Sequence, residues 1–319
     1  MSLPVNLNDI QDAAKRLCGV IKKTPLIRSE RLDEILGCEV FLKPENLQLT
    51  GSFKIRGAAN RILSLSEDEK AKGIIASSSG NHAQGVAYAA SIAKVKSIVV
   101  MPKNAPQTKV EGTAKYGSEV ILHGYDSIER YKKLYELADI NGYTVVHSFN
   151  DPQLIAGQGT VGLEIMEELD NADMVVVPLG GGGVLSGIAI AIKEINPKCE
   201  VIGVEPEAIP RFSASIEAGQ PVEVEFKDTV ADGLMLTKTG TNTWPIISKY
   251  VDRVVTVNDE NVIKAMKEIL IHGKFLVEPS AAVGVAAVLE GKIDVHNKKV
   301  VFVLTGGNVD LEKYLKIIS

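Results

Sequence analysis

Cysteine is scarce in this chain of 319 residues: Cys18, Cys38 and Cys199 stand far apart and form no C-x-x-C pair. That excludes a disulfide framework, gives no zinc spacing, and fits a reducing, cytoplasmic setting. Histidine is scarce too, at five, and His123, His147, His272 and His296 are scattered without ligand spacing, which leaves them structural or surface roles. An excess of positive charge is also missing. The formal net charge is −5, whereas nucleic acid or an anionic membrane surface attracts clustered Lys and Arg, so neither partner is expected. The N-terminal MSLPVNLNDIQDAAKRL lacks the continuous apolar segment of a signal peptide. One stretch, 175–192, carries no charge and has the length of a membrane span, but Pro178 and four consecutive glycines break it into strand, loop and helix. Linkers, low-complexity tracts and internal repeats are absent, which favours interleaved over consecutive domains.

What is present is an ordinary globular composition, 45% hydrophobic and 24% charged, with length enough for two cores. Ile10, Ala13, Ala14, Leu17, Val20 and Ile21 repeat with helical spacing, and Pro25 follows to help end that helix. Short aliphatic runs then alternate with helix-like segments: Glu39–Lys43, Gly73–Ala76, Ser97–Met101, Glu119–Leu122, Thr144–His147, Met174–Val177, Glu200–Val204, Arg253–Val257 and Lys299–Leu304. This βα alternation predicts an α/β protein with two open, mostly parallel sheets flanked by helices. The four closely spaced strands between Gly73 and His147 predict a small domain over 73–148. The remaining strands predict a large domain made of 1–72 and 149–319. A ligand is expected in the cleft at the carboxyl ends of the strands.

Several motifs follow such strands. Thr50–Ala58 sets a lone amine, Lys54, between Phe53 and a small apolar helix start, where desolvation lowers an amine's pKa toward nucleophilic use. By itself it reads as a surface lysine at a helix start. Val175–Leu185 leads an apolar run through Gly180, Gly181, Gly182 and Gly183 into a helix, a ring of backbone N–H groups suited to phosphate. An amine that can form a Schiff base together with a phosphate cradle suggests pyridoxal phosphate. Gly157–Gly162 matches G-x-G-x-x-G, but the polar, proline-interrupted approach Asn150–Ala156 speaks against a dinucleotide site and for close backbone packing at a helix start. Ser77–Gly85 reads either as helix capping or as an anion-binding turn for a substrate carboxylate. Thr305–Asp310 ends a buried strand in a hydroxyl and paired glycines, and Glu278 precedes a small-residue helix as a possible N-terminal partner.

Taken together, Thr50–Ala58, Ser77–His82, Gly180–Gly183, Glu278–Ala282 and Thr305–Asp310 resemble the fold-type II pyridoxal-phosphate enzymes of the tryptophan-synthase β fold, in their threonine/serine ammonia-lyase and serine racemase branch. Val40–Gln48 is similar to both members, while Asn242–Ile247 and Glu278–Val288 look closer to serine racemase. The resemblance implies that Lys54 bonds the cofactor and acts as base on the substrate Cα. Phe53 would pack beside the ring, Asn81 would bond its phenolic oxygen, and Gly180–Gly183 with the N–H of Val184 would hold the phosphate. Thr305 would face the ring nitrogen with a neutral hydroxyl, which suits elimination over transamination. Glu278 would complete the cofactor pocket. Ser78, Ser79, Asn81, His82 and Arg130 would meet the substrate, with Ser79 as a second acid–base group opposite Lys54.

The implied reaction is elimination from L-threonine or L-serine, giving a 2-oxo acid and ammonia, with serine racemisation as the alternative and a non-catalytic paralogue as a remote third. A homodimer is usual for the fold. One departure concerns the divalent cation of serine racemases: Glu205 is present, but Arg211 occupies the position of a ligand aspartate, where its charge repels a cation. A metal therefore stays open, on Glu205 alone. Because the chain stops at Ser319, control by isoleucine through a C-terminal regulatory domain is not expected.

Overall fold

The computed structural model describes residues 3–319, among which ten strands form two sheets. In chain order they are β1 (Ile27–Arg28), β2 (Glu39–Pro44), β3 (Ile74–Ser77), β4 (Ser97–Met101), β5 (Glu119–Leu122), β6 (Thr144–Val145), β7 (Met174–Pro178), β8 (Glu200–Pro206), β9 (Arg253–Val257) and β10 (Lys299–Leu304). The six-stranded sheet runs β1-β2-β10-β7-β8-β9 and the four-stranded sheet β5-β4-β3-β6. Every pairing is parallel except β1 with β2. Parallel strands covered by helices on both faces must be apolar throughout, and all residues of β3, β4 and β7 are buried.

Several expected boundaries move. β1 is an extra strand, too short for any period to show. The run expected over Thr144–His147 is a strand only at Thr144–Val145, and Gly73 stands before β3 with φ +97°. The first helix, Leu7–Leu17, buries Ile10, Ala13 and Leu17 but closes at Cys18, well ahead of Pro25, so Val20 and Ile21 lie beyond it. The glycines of Gly157–Gly162 sit inside the helix Pro152–Glu168 and not at its start. There they permit contact: a Cβ on Gly157 would lie 2.6 Å from the Arg56 carbonyl, and one on Gly159 would lie 2.9 Å from that of Gly187. Three helices, Lys54–Leu63, Pro152–Glu168 and Gly183–Ile195, thereby pack backbone to backbone.

That packing encloses charge. Arg56, fully buried in the helix Lys54–Leu63, donates from Nε and Nη2 to Glu45 (2.7 and 2.8 Å) and from Nη1 and Nη2 to Glu164 (2.6 and 2.8 Å). Lys43, also buried, completes the set with Nζ 2.7 Å from Glu164 Oε2. Two cations and two carboxylates thus balance. No helix among the described residues is long and apolar enough to cross a membrane.

The pH behaviour of this cluster has a definite sign. Burial acts to raise the Glu45 carboxyl, but the Arg56 charge and its hydrogen bonds outweigh it and hold Glu45 below the usual carboxylate range. Its stabilisation is therefore present above the unfolded pKa and is lost as pH falls through the lower folded one. Removing only the arginine strips the buried Glu45 carboxylate of its paired cation, which costs about 3–5 kcal/mol. Arg56→Met is expected to be destabilised by that order near neutral pH in denaturant unfolding. Without Arg56, burial favours protonated Glu45, so the gap to wild type should narrow between about pH 7 and about pH 4. A gap independent of pH would show that the Glu45 charge is not what the substitution strands.

Candidate active site

The carboxyl ends of β3, β7 and β10 open into one cavity of about 1590 Å³. Every residue assigned from sequence to catalysis, cofactor or substrate lines it, from Phe53, Lys54 and Ser78 through Gly180–Val184 to Glu278 and Thr305. Glu205 does not.

Lys54 begins its helix, and its position is fixed by the end of β10. The Phe53 N–H donates to the Thr305 carbonyl at 3.1 Å, and Ser52 bridges Gly306. The amine donates to the Ser148 carbonyl at 3.0 Å and lies 5.0 Å from the centre of the Phe53 ring. Burial pulls its pKa down to about 8, against the opposing pull of Glu278.

Beyond β3 the serine-rich turn divides its labour. Ser78 Oγ accepts from the Gly80 N–H at 3.2 Å, while the helix Asn81–Ala93 has no side-chain cap. Asn81 reaches away from the helix instead: Nδ2 donates to both oxygens of Glu278, at 2.8 and 3.0 Å, and Oδ1 accepts from Asn308 Nδ2 at 2.9 Å. Asn308 Nδ2 also donates to the Thr50 carbonyl at 2.7 Å. Glu278 occupies the N-cap of the helix Pro279–Leu289 but makes no side-chain cap bond there. Burial pushes its carboxyl up to about 7, with Asn81 acting to lower it. His82 sets Nε2 3.0 Å from the Val146 carbonyl, so that nitrogen carries the proton. Burial, then the nearby Lys54 charge, press the ring down to about 3, which keeps it neutral. Ser79 and Arg130 line the cavity wall, with Arg130 Nε donating to the Asp126 carbonyl at 3.0 Å.

The glycine loop joins β7 to the helix Gly183–Ile195. Gly182 takes φ +90°, a conformation that side chains resist, and a Cβ on it would lie 2.7 Å from Ile247 Cδ1. A Cβ on Gly181 would run into the Phe149 ring. The helix's first turn leaves N–H groups without intrahelical partners. Beside Gly183, Gln158 is fully buried with neither amide atom bonded, and it too lines the cavity. A bare-backbone cradle with an orphaned amide next to it fits a phosphate group.

Glu205 sits behind that loop, buried, accepting from the N–H groups of Phe212 (3.1 Å) and Ser213 (2.7 Å). Arg211 Nη1 is 3.7 Å away. Burial raises the Glu205 carboxyl while Arg211 acts to lower it. Among the described residues, no group of three or more His, Cys, Asp and Glu side chains is set to hold a metal ion.

Sequence reasoning missed Asn308, Gln158 and Ser148. Asn308 lay inside the quoted Thr305–Asp310 segment, and Gln158 inside the G-x-G-x-x-G decoy, where a polar residue among glycines was the available signal. A backbone carbonyl such as that of Ser148 leaves none.

The chain is 47% identical over 315 residues to the L-threonine ammonia-lyase of Thermotoga maritima, covering 99% of this chain and 78% of that protein. It is 43% identical over 317 residues to the catabolic L-threonine dehydratase of Escherichia coli K12, covering 99% and 96%. The solved structure of maize serine racemase superposes with a TM-score of 0.94 at 36% identity, covering 98% and 96%. Residues 17–306 match the family described as pyridoxal-phosphate dependent enzyme, and this chain belongs to it.

Proposed function

We propose that the protein is an ammonia-lyase that converts L-threonine or L-serine to a 2-oxo acid and ammonia. The observation that carries this reading is a partly desolvated amine, Lys54, in one cavity with a bare glycine cradle. The names of the Thermotoga and Escherichia relatives support the substrate class. Pyridoxal phosphate, when bound, supplies an aldehyde that joins the amino-acid nitrogen and a ring that takes up electrons left at Cα.

In this proposal the N–H groups of Gly180–Gly183 and Val184, with the Gln158 amide, hold the phosphate. Phe53 packs beside the ring, Asn81 meets its phenolic oxygen with Glu278 behind, and Thr305 offers the ring nitrogen a neutral hydroxyl. Ser78, Ser79, Asn81, His82 and Arg130 receive the small hydroxy-amino-acid substrate. Lys54 takes the proton from Cα, a task eased by an ammonium pKa of about 8, which leaves some free base near neutral pH. As the Cβ–O bond breaks, its electron pair leaves with the hydroxyl, and Ser79 supplies the proton that lets it depart as water.

A second reading, serine racemisation, is favoured by the likeness to maize serine racemase and by Ser79 as a second acid–base group in the cavity. Residues 73–148 would act as a small domain against 1–72 and 149–319, in keeping with the two sheets. A homodimer belongs to the same proposal, as does a reducing cytoplasm, which suits three free cysteines. A divalent cation stays outside it.

Lys54→Ala is expected to abolish 2-oxo acid formation and the visible absorbance of lysine-bound cofactor while leaving the circular dichroism of the fold unchanged. Retained absorbance would assign the bond to another lysine.

Ser79→Ala separates the two readings. Wild type assayed with L-serine and L-threonine should give 2-oxo acid, and any D-serine would expose the racemase. An acid–base group contributes roughly 100- to 10,000-fold. If Ser79 returns the proton to Cα, the variant loses D-serine by that factor and far less 2-oxo acid. Equal losses would tie Ser79 to the leaving hydroxyl, and a wild type that makes no D-serine ends the racemase reading.

A further inference from the structure

A peptide unit points its N–H and C=O in opposite directions, so a loop that turns its N–H groups toward a phosphate must satisfy its carbonyls on the other side. Behind the glycine loop those acceptors are met by side chains. Arg211, fully buried, donates from Nη2 to the Leu179 carbonyl at 2.6 Å, and from Nε to the Gly180 carbonyl at 3.1 Å, with a further contact from Nη2 to the same oxygen. Its Nη1 donates to the Ile209 carbonyl at 3.1 Å, which fixes the guanidinium to its own turn. Thr243, also fully buried, donates from Oγ1 to the Gly181 carbonyl at 2.8 Å. The Gly182 carbonyl is taken up by the Ser186 N–H at 2.8 Å, inside the helix. Four successive carbonyls, Leu179 to Gly182, are thus each taken up by a donor of the protein itself.

Arg211 is suited to this task because its planar fork can serve several oxygens from one side. Glu205 supplies the balancing charge, and it also ties down the start of the helix Arg211–Ala218 through the Phe212 and Ser213 N–H groups. The ring of Phe212 then packs against the loop: a Cβ on Gly182 would lie 3.0 Å from its Cζ. Loop, guanidinium and helix start form one braced unit.

We propose that Arg211, with Thr243, is a positioning residue for cofactor phosphate: it orients the glycine loop from behind so that the N–H cradle is formed before the phosphate arrives. Pre-organisation of this kind shows as affinity, because a loop free to rotate its peptides must be ordered on binding. The inference rests on the reading that the cavity takes pyridoxal phosphate.

The test titrates apo protein with pyridoxal phosphate, well below the melting temperature, following visible absorbance and the fluorescence of Trp244, the single tryptophan, next to Thr243. Arg211→Met should weaken the cofactor about 30-fold or more, since hydrogen bonds from a charged donor are lost at two carbonyls. Arg211→Lys should recover part of that, and Thr243→Val, which keeps the side-chain volume, should weaken binding about 3- to 10-fold. The phosphorus resonance of bound cofactor should shift in each variant. If Arg211→Met does not fold, Thr243→Val and Arg211→Lys decide alone. Unchanged affinity and an unchanged phosphorus resonance, with only a lower apo melting temperature, would overturn the proposal and leave Arg211 a packing role. A wild type that fails to bind pyridoxal phosphate would overturn the functional reading as well.

Discussion

Arg56 held between Glu45 and Glu164 is the contact on which the geometry of the cavity depends. It lies two residues past Lys54, in the same first turn of helix, so whatever fixes the guanidinium fixes the direction in which that helix enters the cavity wall. Its partners come from the turn after β2 and from the C-terminal part of the helix Pro152–Glu168, so one side chain ties three segments together. A buried pair of this kind adds little net stability compared with an apolar replacement of similar volume. What it adds is direction, because the planar fork meets fixed carboxylates on two different segments at once, with Nη2 shared between Glu45 and Glu164. Lys54 then needs no lock of its own, and its amine is left with one carbonyl partner, Ser148.

The same logic recurs on the far side of the cavity. Arg211 is buried as completely as Arg56, but it pairs with carbonyls where Arg56 pairs with carboxylates. The difference shows in their protonation. Burial opposes the charge at both positions, yet two carboxylates overcome it at Arg56 and raise its pKa, whereas Arg211, with only Glu205 at 3.7 Å, falls to about 10. An arginine at that value is still charged near neutral pH. In the proposed function that cation, balanced by Glu205, stands behind the loop that would face the phosphate.

The strands were legible in the sequence because buried parallel strands are apolar without interruption, and Met174–Val177 or Lys299–Leu304 admit few other readings. The glycine loop was legible for a local reason too, since four consecutive glycines after such a strand leave only backbone to present. Failures came where a feature depends on a partner far away in the chain. The pair β1 and β2 is decided by contact, not by any period within Ile27–Arg28. Arg56 meets Glu164 across 108 residues and Arg211 meets Leu179 across 32, distances at which spacing carries no information. Glycines 157, 159 and 162 show the limit from the other direction. Their spacing imitates a nucleotide fingerprint, but their purpose is the approach of three helices, visible only when the neighbours are known.

Asn81 shows how a residue found correctly in a cavity can be differently engaged from its implied role. The resemblance gives its amide to the cofactor ring, yet Nδ2 faces both oxygens of Glu278 and Oδ1 is held by Asn308. An amide nitrogen has two hydrogens, so a ring contact requires one of them to leave Glu278. A carboxyl held near 7 makes that exchange inexpensive: once neutral, Glu278 has a hydroxyl of its own to donate and one fewer strong acceptor to satisfy. Asn81 begins the helix that follows β3 of the small sheet, while Glu278 begins the helix that precedes β10 of the large one. The Asn81–Glu278 contact is therefore also a link between the two sheets, and the hydrogen that a ring oxygen would claim is one of two that now span them at the cavity wall, beside the bond from Asn308.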